Sequence, residues 1–501
     1  MKKALILMIA LLMIVMPVLC ACGGDDTTSD TESKQTTSDT SESQETDFPL
    51  EKKNFGGTTI TVLARPKHSS QQFCPNEEYE GSVINQAVSD RNQYIEENFG
   101  LILEVEEVDR PATEIITMIE SNIDDYDLVC DSVCRMLPAV VDSVFYSLND
   151  DILLTQPYWE QNANEYLTLS DRVFFVTGDA LFMDDLHTSA VLFNKDLWNQ
   201  HYQETEGSPY DMVKNGTWTL DKLNELAKGF SQPDENGNWG TPEGMYGIVT
   251  DGYTGATHLT AGSNIMTASK DENGNLTLHV GDERSIKAFD KVYNMLNDET
   301  IALYVEKLKG YENTWGTISN MFINNHALFY VCYINSLMNI KENESPDKVD
   351  PGVLPIPMYD ENQKDEGYFD GINIYQCEVL GIPTCNNKRY EETCYMLEAL
   401  GYYRSVNSPF GKECVTYAVY ETTMKLQSVT NQDDADMMDY ILSHRLYDLG
   451  GIFDWGKQLT GAYSFCLYGG QNNLVSKWDS IKDSVQMAME ETITAYKNSI
   501  A

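Results

Sequence analysis

The stretch GGTTITVLAR (56–65) decides the fold through what stands around it. Threonines alternate with apolar residues and two glycines bound the run, which is the pattern of a half-buried strand. In the next segment, SVINQAVSDRNQYIEENFG (82–100), Val83, Ile84, Ala87, Val88, Tyr94, Ile95 and Phe99 fall near helical spacing. Gly100 stands where such a helix would stop. LILEVEEV (101–108) alternates as a second strand, and PATEIITMIESN (111–122) is a second helix with proline at its start. YDLVCDS (126–132) is a short buried strand that ends in a polar loop. Strand, helix, strand, helix, strand is the order of a right-handed parallel α/β sheet.

Upstream, the chain changes character. Lys2 and Lys3 precede an unbroken apolar run from Ala4 to Met16, closed by Pro17. That run falls short of the ~20 residues that span a bilayer, so residues 1–21 read as an export signal. Leu19-Cys20-Ala21-Cys22 resembles the bacterial lipobox. The resemblance implies that Cys22 carries a diacylglyceryl thioether and becomes the first mature residue, with further acylation (palmitate) securing a stable anchor. Cys20 fits less well, because Leu19 before it is not small. Asp25 to Asp47 contains no aromatic or large apolar residue. Such a segment cannot bury a core, so residues 22–47 are expected to form a disordered acidic tether, with folding starting at Phe48.

The net charge is −44, and removal of Lys2 and Lys3 makes it more negative. A surface of that sign repels nucleic acid and anionic lipid, so attachment to the membrane falls to the covalent anchor. Eleven cysteines less Cys20 and Cys22 leave an odd number, which cannot all pair within the chain. Cys130 and Cys134 are spaced C-x3-C without a partner pattern that completes a zinc site. Cys332 and Cys377 sit in apolar runs and read as small buried hydrophobes.

Catalytic signatures are missing. Gly-x-Ser-x-Gly, His-Glu-x-x-His and the phosphate-binding Gly-x4-Gly-Lys-Ser/Thr pattern do not occur. Asp184 and Asp185 are adjacent carboxylates close to His187, but neighbours on an extended chain point to opposite sides and do not form a glycosidase dyad. They read as a polar loop at a cleft edge. DENGN occurs at 234–238 and again at 271–275. Neither copy has the glycine and glutamate positions of a calcium loop, and both read as Asn-Gly turns. No catalytic residue, metal or cofactor is expected.

Six segments then follow in a fixed order: YDLVCDS (126–132), VFFVTGDALFMDDLHTSAVLFNKDLW (173–198), TWTLDKLNELAKGF (217–230), MFINNHALFYVCYI (321–334), GVLPIPMYDENQ (352–363) and GIPTCNNKRYEETCYMLEAL (381–400). As an ordered set they resemble the extracellular solute-binding proteins of ABC transporters, family 1, which includes the carbohydrate-binding members. LFNKDLW…TWTLDKL carries the most of this resemblance, as a strand, a helix start and then a Thr-Trp cap in which Thr219 precedes a helix. Asn324-Asn325-His326-Ala327-Leu328 departs from the Gly-Lys-Ala-Ala-Met usual in the family.

The resemblance implies an α/β, two-lobed, periplasmic-binding-protein-like (type II) clamshell with an interlobe hinge. One lobe would hold residues 48–176 and 378–430, the other residues 177–377 and 431–501. The chain would cross between them near 172–180 and 369–385. It further implies a monomer that captures a saccharide between the lobes and passes it to ABC permease subunits at the outer face of the cell membrane. A ligand-presenting surface sensor and an extracellular carbohydrate-active enzyme are the alternative roles.

Sugar rings stack their C–H faces on aromatic planes and need paired polar groups for their hydroxyls. Aromatic residues beside Gly, Asp or Asn at strand ends are therefore the candidates: Tyr253, Trp315, Tyr333 and Trp455. The polar candidates are Arg65, Asp131, Asp179 and Asp370.

Overall fold

The structure, a computed structural model, describes residues 47–75, 82–342, 349–386, 388–426 and 429–498. The leader 1–21, Cys22 and the tether up to Thr46 lie outside the described residues. No helix among the described residues is long and apolar enough to cross a membrane.

The two main sheets are built from β1 (Thr58–Ala64), β2 (Leu101–Glu107), β3 (Leu128–Ser132), β4 (Ser189–Asn194), β5 (Tyr246–Thr250), β6 (Ala302–Tyr304), β7 (Ala327–Tyr333), β8 (Pro351–Leu354) and β9 (Glu378–Gly381). The first sheet has the order β9-β3-β1-β2. Its three early strands run parallel and β9 returns antiparallel against β3. The second has the order β8-β4-β7-β5-β6. There β5 lies parallel to β6 and β7, while β4 runs antiparallel to β7 and β8.

Local chemistry sets the element ends. Ser82 opens the helix Val83–Phe99 by accepting the Asn85 N–H, and Gly100 closes it at φ +62°. A Cβ at Gly100 would stand 2.8 Å from Asn54 Oδ1 and 2.9 Å from the Gly56 nitrogen, so glycine is required there for space as well as for handedness. Pro111 occupies the first turn of the helix Pro111–Glu120, where its missing N–H costs nothing. Asn194 caps the helix Lys195–His201 through Leu197 N, and Thr219 caps Leu220–Phe230 through Lys222 N.

Both faces of the first sheet are covered, as parallel sheets require. Ile60, Val62 and Ala64 join one core with Ile95, Phe99, Leu397 and Leu400. Leu63 belongs to the other core, with Ala87, Val88 and Ile115. Phe48 packs among Phe99, Tyr395, Tyr402 and Tyr403, with ring centroids 5.3 to 5.5 Å away.

Two segments connect the sheets side by side. Val176 and Leu380 exchange both backbone hydrogen bonds, at 3.0 and 2.9 Å, and Thr188 bridges Ile372. Chain passing from the first sheet to the second through 176–188 thus lies against chain returning through 372–380.

Asp184 and Asp185 differ from the polar loop read in the sequence. They lie in a one-turn helix, Met183–Leu186, and both face Arg445. The helical backbone turns both carboxylates to one guanidinium, where an extended chain would have separated them.

Candidate ligand-binding cleft

The strands of the second sheet deliver side chains to one place. Asp251, Tyr253 and Thr254 follow β5, Glu306 follows β6, and Tyr333 ends β7 ahead of Asn335 and Ser336. These are the carboxyl ends of the parallel strands, where open α/β sheets bind ligands. Together with residues from three other segments they line a cavity of about 840 Å³. The crossing segments contribute His187, Asn373, Tyr375 and Gln376, and the helix Thr314–Ile323 contributes Trp315 and Ser319. The C-terminal region contributes Asp454, Lys457, Thr460, Ser464, Phe465 and Tyr468.

The polar groups of the lining are held by their neighbours. Asp251 caps the helix Gly252–Ala261 by accepting the Thr254 N–H at 2.9 Å, and burial raises its carboxyl above the ordinary value. Glu306 accepts the Gly252 N–H at 2.9 Å. Asp454 accepts the N–H groups of Leu459 and Thr460. The Tyr333 hydroxyl accepts from Thr254 Oγ1 and meets His258 Nε2, both at 3.1 Å. His187 places Nδ1 2.9 Å from the Met183 carbonyl, so that nitrogen carries the proton, and Nε2 accepts from Asn335. Burial, with His68 beside it, pushes His187 down to about 3, and burial pushes His258 to about 3. Both imidazoles are therefore neutral at ordinary pH. The lining presents amides, hydroxyls and neutral rings, a few held carboxylates and one ammonium.

Aromatic faces complete it. Trp315 is 58% exposed, Phe465 53%, Tyr375 45% and Tyr468 40%, and all four line the cavity. Tyr253 meets Tyr375 edge-on, with centroids 5.9 Å apart. Large rings left this open to water at one cavity mark a binding surface rather than a core.

The residues picked out in the sequence divide into two groups. Tyr253, Trp315 and Tyr333 line the cavity. Arg65 stands next to it: Nη1 donates to the Tyr375 carbonyl at 3.0 Å, and Nε and Nη2 bind Glu378. The other four are not among the lining residues. Asp131 is fully buried and engages Arg65 and Arg135. Asp179 accepts from Thr416 Oγ1 at 2.9 Å, and burial raises it to about 7. Asp370 is fully buried and accepts the Ile356 N–H. Trp455 stacks on Phe453 at 5.2 Å and donates to Thr492. Tyr375, Phe465 and Tyr468 escaped the sequence reading because none sits at a recognisable strand end, and Asn335, Ser336 and Asn339 escaped it although they follow the end of β7.

No group of three or more His, Cys, Asp or Glu among the described residues could hold a metal ion. In the DENGN turns, Asp234 and Asp271 each receive N–H groups two and four residues on, which leaves their carboxylates occupied by the turn itself.

Two sheets joined by paired crossing strands, with a cavity at the carboxyl ends of one of them, define a two-lobed α/β fold of the clamshell type. No protein-family model and no curated protein matches the sequence. Solved structures do match its fold. An ABC substrate-binding protein from Listeria monocytogenes in complex with cycloalternan superposes at a TM-score of 0.55 and 11% identity, over 86% of this chain and 99% of that one. A cyclo/maltodextrin-binding protein complexed with maltotetraose gives 0.55 at 14% identity, over 88% and 97%. The sugar-binding protein MalE from Xanthomonas citri gives 0.54 at 13% identity, over 88% and 98%. The chain has the fold of the two-lobed solute-binding proteins of ABC transporters.

Proposed function

We propose that this protein captures a neutral oligosaccharide in its cleft and delivers it to an ABC importer while tethered to the outer face of the membrane through a lipid on Cys22. One observation carries the reading: a cavity of about 840 Å³ combines four exposed aromatic rings with amide and hydroxyl side chains. That size lies in the upper part of the usual range for ligand sites, which suits more than one sugar ring. The mixture matches the two chemistries of a sugar, apolar ring faces and a rim of hydroxyls. The saccharides named with the fold neighbours, cycloalternan and maltotetraose, support the same class. The lipobox-like sequence supports the anchor, and the clamshell supports capture by closure about the crossing strands.

A thermal-shift panel tests it. Neutral oligosaccharides, peptides, amino acids and polyamines are offered to the protein. A saccharide should raise the melting temperature with concentration, because only the folded state binds it, and should be recovered chemically intact. A shift from peptides or amines alone refutes the sugar. Fragmentation of the glycan refutes the binding-protein role. Delivery is tested by deleting the gene, which should abolish uptake of the ligand so identified.

A further inference from the structure

A hydrogen-bond chain behind the cavity fixes the direction in which one of its protons points. Tyr333 and Thr254 line the cavity, and the buried His258 stands behind them with Nε2 3.1 Å from the Tyr333 hydroxyl. The two rings meet edge to face, with centroids 5.4 Å apart. Burial keeps the His258 ring neutral, so a single proton sits on one of its two nitrogens. Nδ1 is buried and has no hydrogen-bond partner among the described residues. It faces Gly371: a Cβ there would stand 2.4 Å from Nδ1, so the glycine hydrogen in its place is turned to the ring nitrogen. A proton on Nδ1 would be a buried donor without an acceptor, pressed against that C–H, and such donors are rare and costly. A lone pair on Nδ1 meets the C–H favourably. The proton therefore belongs on Nε2, which donates it to the Tyr333 oxygen. Thr254 Oγ1 donates to the same oxygen at 3.1 Å. A phenol oxygen that already accepts two hydrogen bonds must send its own proton elsewhere, and the side left to it is the cavity.

We propose that the Tyr333 hydroxyl is a committed donor to the ligand, and that it selects a sugar hydroxyl oxygen at that point of the cleft over a protonated amine, which can only donate. Tyr333 is thus a specificity-determining residue, and His258 is the positioning residue that imposes the direction of its proton. The choice of a sugar hydroxyl as acceptor rests on the saccharide reading above; the direction of the proton does not.

Two measurements test the proposal. Histidine-selective isotope labelling and NMR of the protein, with His258→Gln to assign the signal, should place the His258 proton on Nε2. A proton on Nδ1 overturns the proposal, because Tyr333 would then give its own proton to the imidazole. Titration calorimetry follows with maltotriose, cellotriose, xylotriose and mannotriose, and, for the one that binds, with analogues in which each hydroxyl is replaced by hydrogen or by fluorine. Tyr333→Phe fills the same volume and should lower affinity about three- to tenfold, the range of one neutral hydrogen bond. At one sugar position the deoxy analogue should weaken binding to the parent at least about threefold more than binding to Tyr333→Phe. The fluoro analogue at that position, which accepts weakly but cannot donate, should bind the parent better than the deoxy analogue does. His258→Leu should weaken binding, and His258→Gln, which returns an N–H to the phenol, should recover it. A Tyr333→Phe variant that binds like the parent, or the lack of any sugar position coupled to it, overturns the proposal. Failure of all four trisaccharides to bind removes the saccharide reading and the sugar acceptor together, while a proton on Nε2 would still uphold the direction of the donor. A trisaccharide that binds with the proton on Nδ1 removes this inference alone.

Discussion

Replacing Asp184 by asparagine should change how stability depends on pH. Asp184 is 2% exposed and lies 3.4 Å from Arg445, which also holds Asp185 at 2.6 Å and pairs with Glu160. The Tyr447 hydroxyl approaches Asp184 at 3.4 Å, and Arg404 and Asp179 complete the charged surroundings. Three carboxylates thus share one guanidinium. Burial pushes Asp184 up to about 7, and Arg445 only partly opposes the shift. An unfolded aspartate titrates near 3.9, so between roughly pH 4 and 7 the folded state holds a proton that the unfolded state has released. The sign follows: the contribution is complete below the unfolded value and is lost as pH rises through about 7. One proton is worth about 1.4 kcal/mol per pH unit, so this group alone removes about 2–3 kcal/mol between pH 5 and 7. For a lobe of this size that corresponds to roughly 5–10 °C in melting temperature. The asparagine side chain of the variant cannot titrate, and Arg445 keeps Asp185 and Glu160. Melting curves of parent and Asp184→Asn across this pH range should therefore converge toward low pH, where both side chains are neutral, and separate toward high pH, with the variant the more stable at pH 7. Parallel profiles would refute the assignment of the proton to Asp184.

Gly252→Ala should damage binding and spare the fold. The added Cβ would stand 2.4 Å from Tyr468 Cε1, the edge of an exposed ring that can swing away, and 2.9 Å from Glu306 Oε2. Ligand affinity should fall while melting changes little, and an unchanged affinity would sever Tyr468 from the site. Gly100→Ala should destabilise by about 1–2 kcal/mol from handedness alone, with more from the close approach to Asn54 and Gly56. Denaturant titration would show it, and a neutral result would mean that the helix end rearranges freely. The nine cysteines among the described residues form no disulfide, and burial raises every one of these thiols above its ordinary value. A thiol reagent at neutral pH should label the native protein slowly and these nine promptly after unfolding. Several fast native sites would contradict that burial.

What the sequence made legible follows from the range of the forces involved. Periodicity, caps and stop signals act within a few residues, so the first sheet, its helices and the Thr219 and Gly100 ends could be read from their own neighbourhoods. Strand ends are local too, which is why Tyr253 and Tyr333 fell at the cavity. The Asp184–Asp185 pair could not be read in this way, because its partner Arg445 lies 260 residues beyond Asp185. Trp455 shows the finest failure. The residue before it and the residue two after it both line the cavity, while Trp455 stacks inward on Phe453. Asp454, Gly456 and Lys457 all take positive φ, at 44°, 66° and 57°, and this left-handed run turns successive side chains out of the order that regular structure would give. Sequence composition located the segment, but only the backbone decides which of its side chains faces the cavity. The same holds near Asp370, which is sealed in a two-residue strand while Asn373, Tyr375 and Gln376 just beyond it form the cavity wall. In both places the polar or aromatic residue that stands out in the sequence is anchored by the interior. That anchoring holds the less conspicuous neighbours at the surface, where a ligand can reach them.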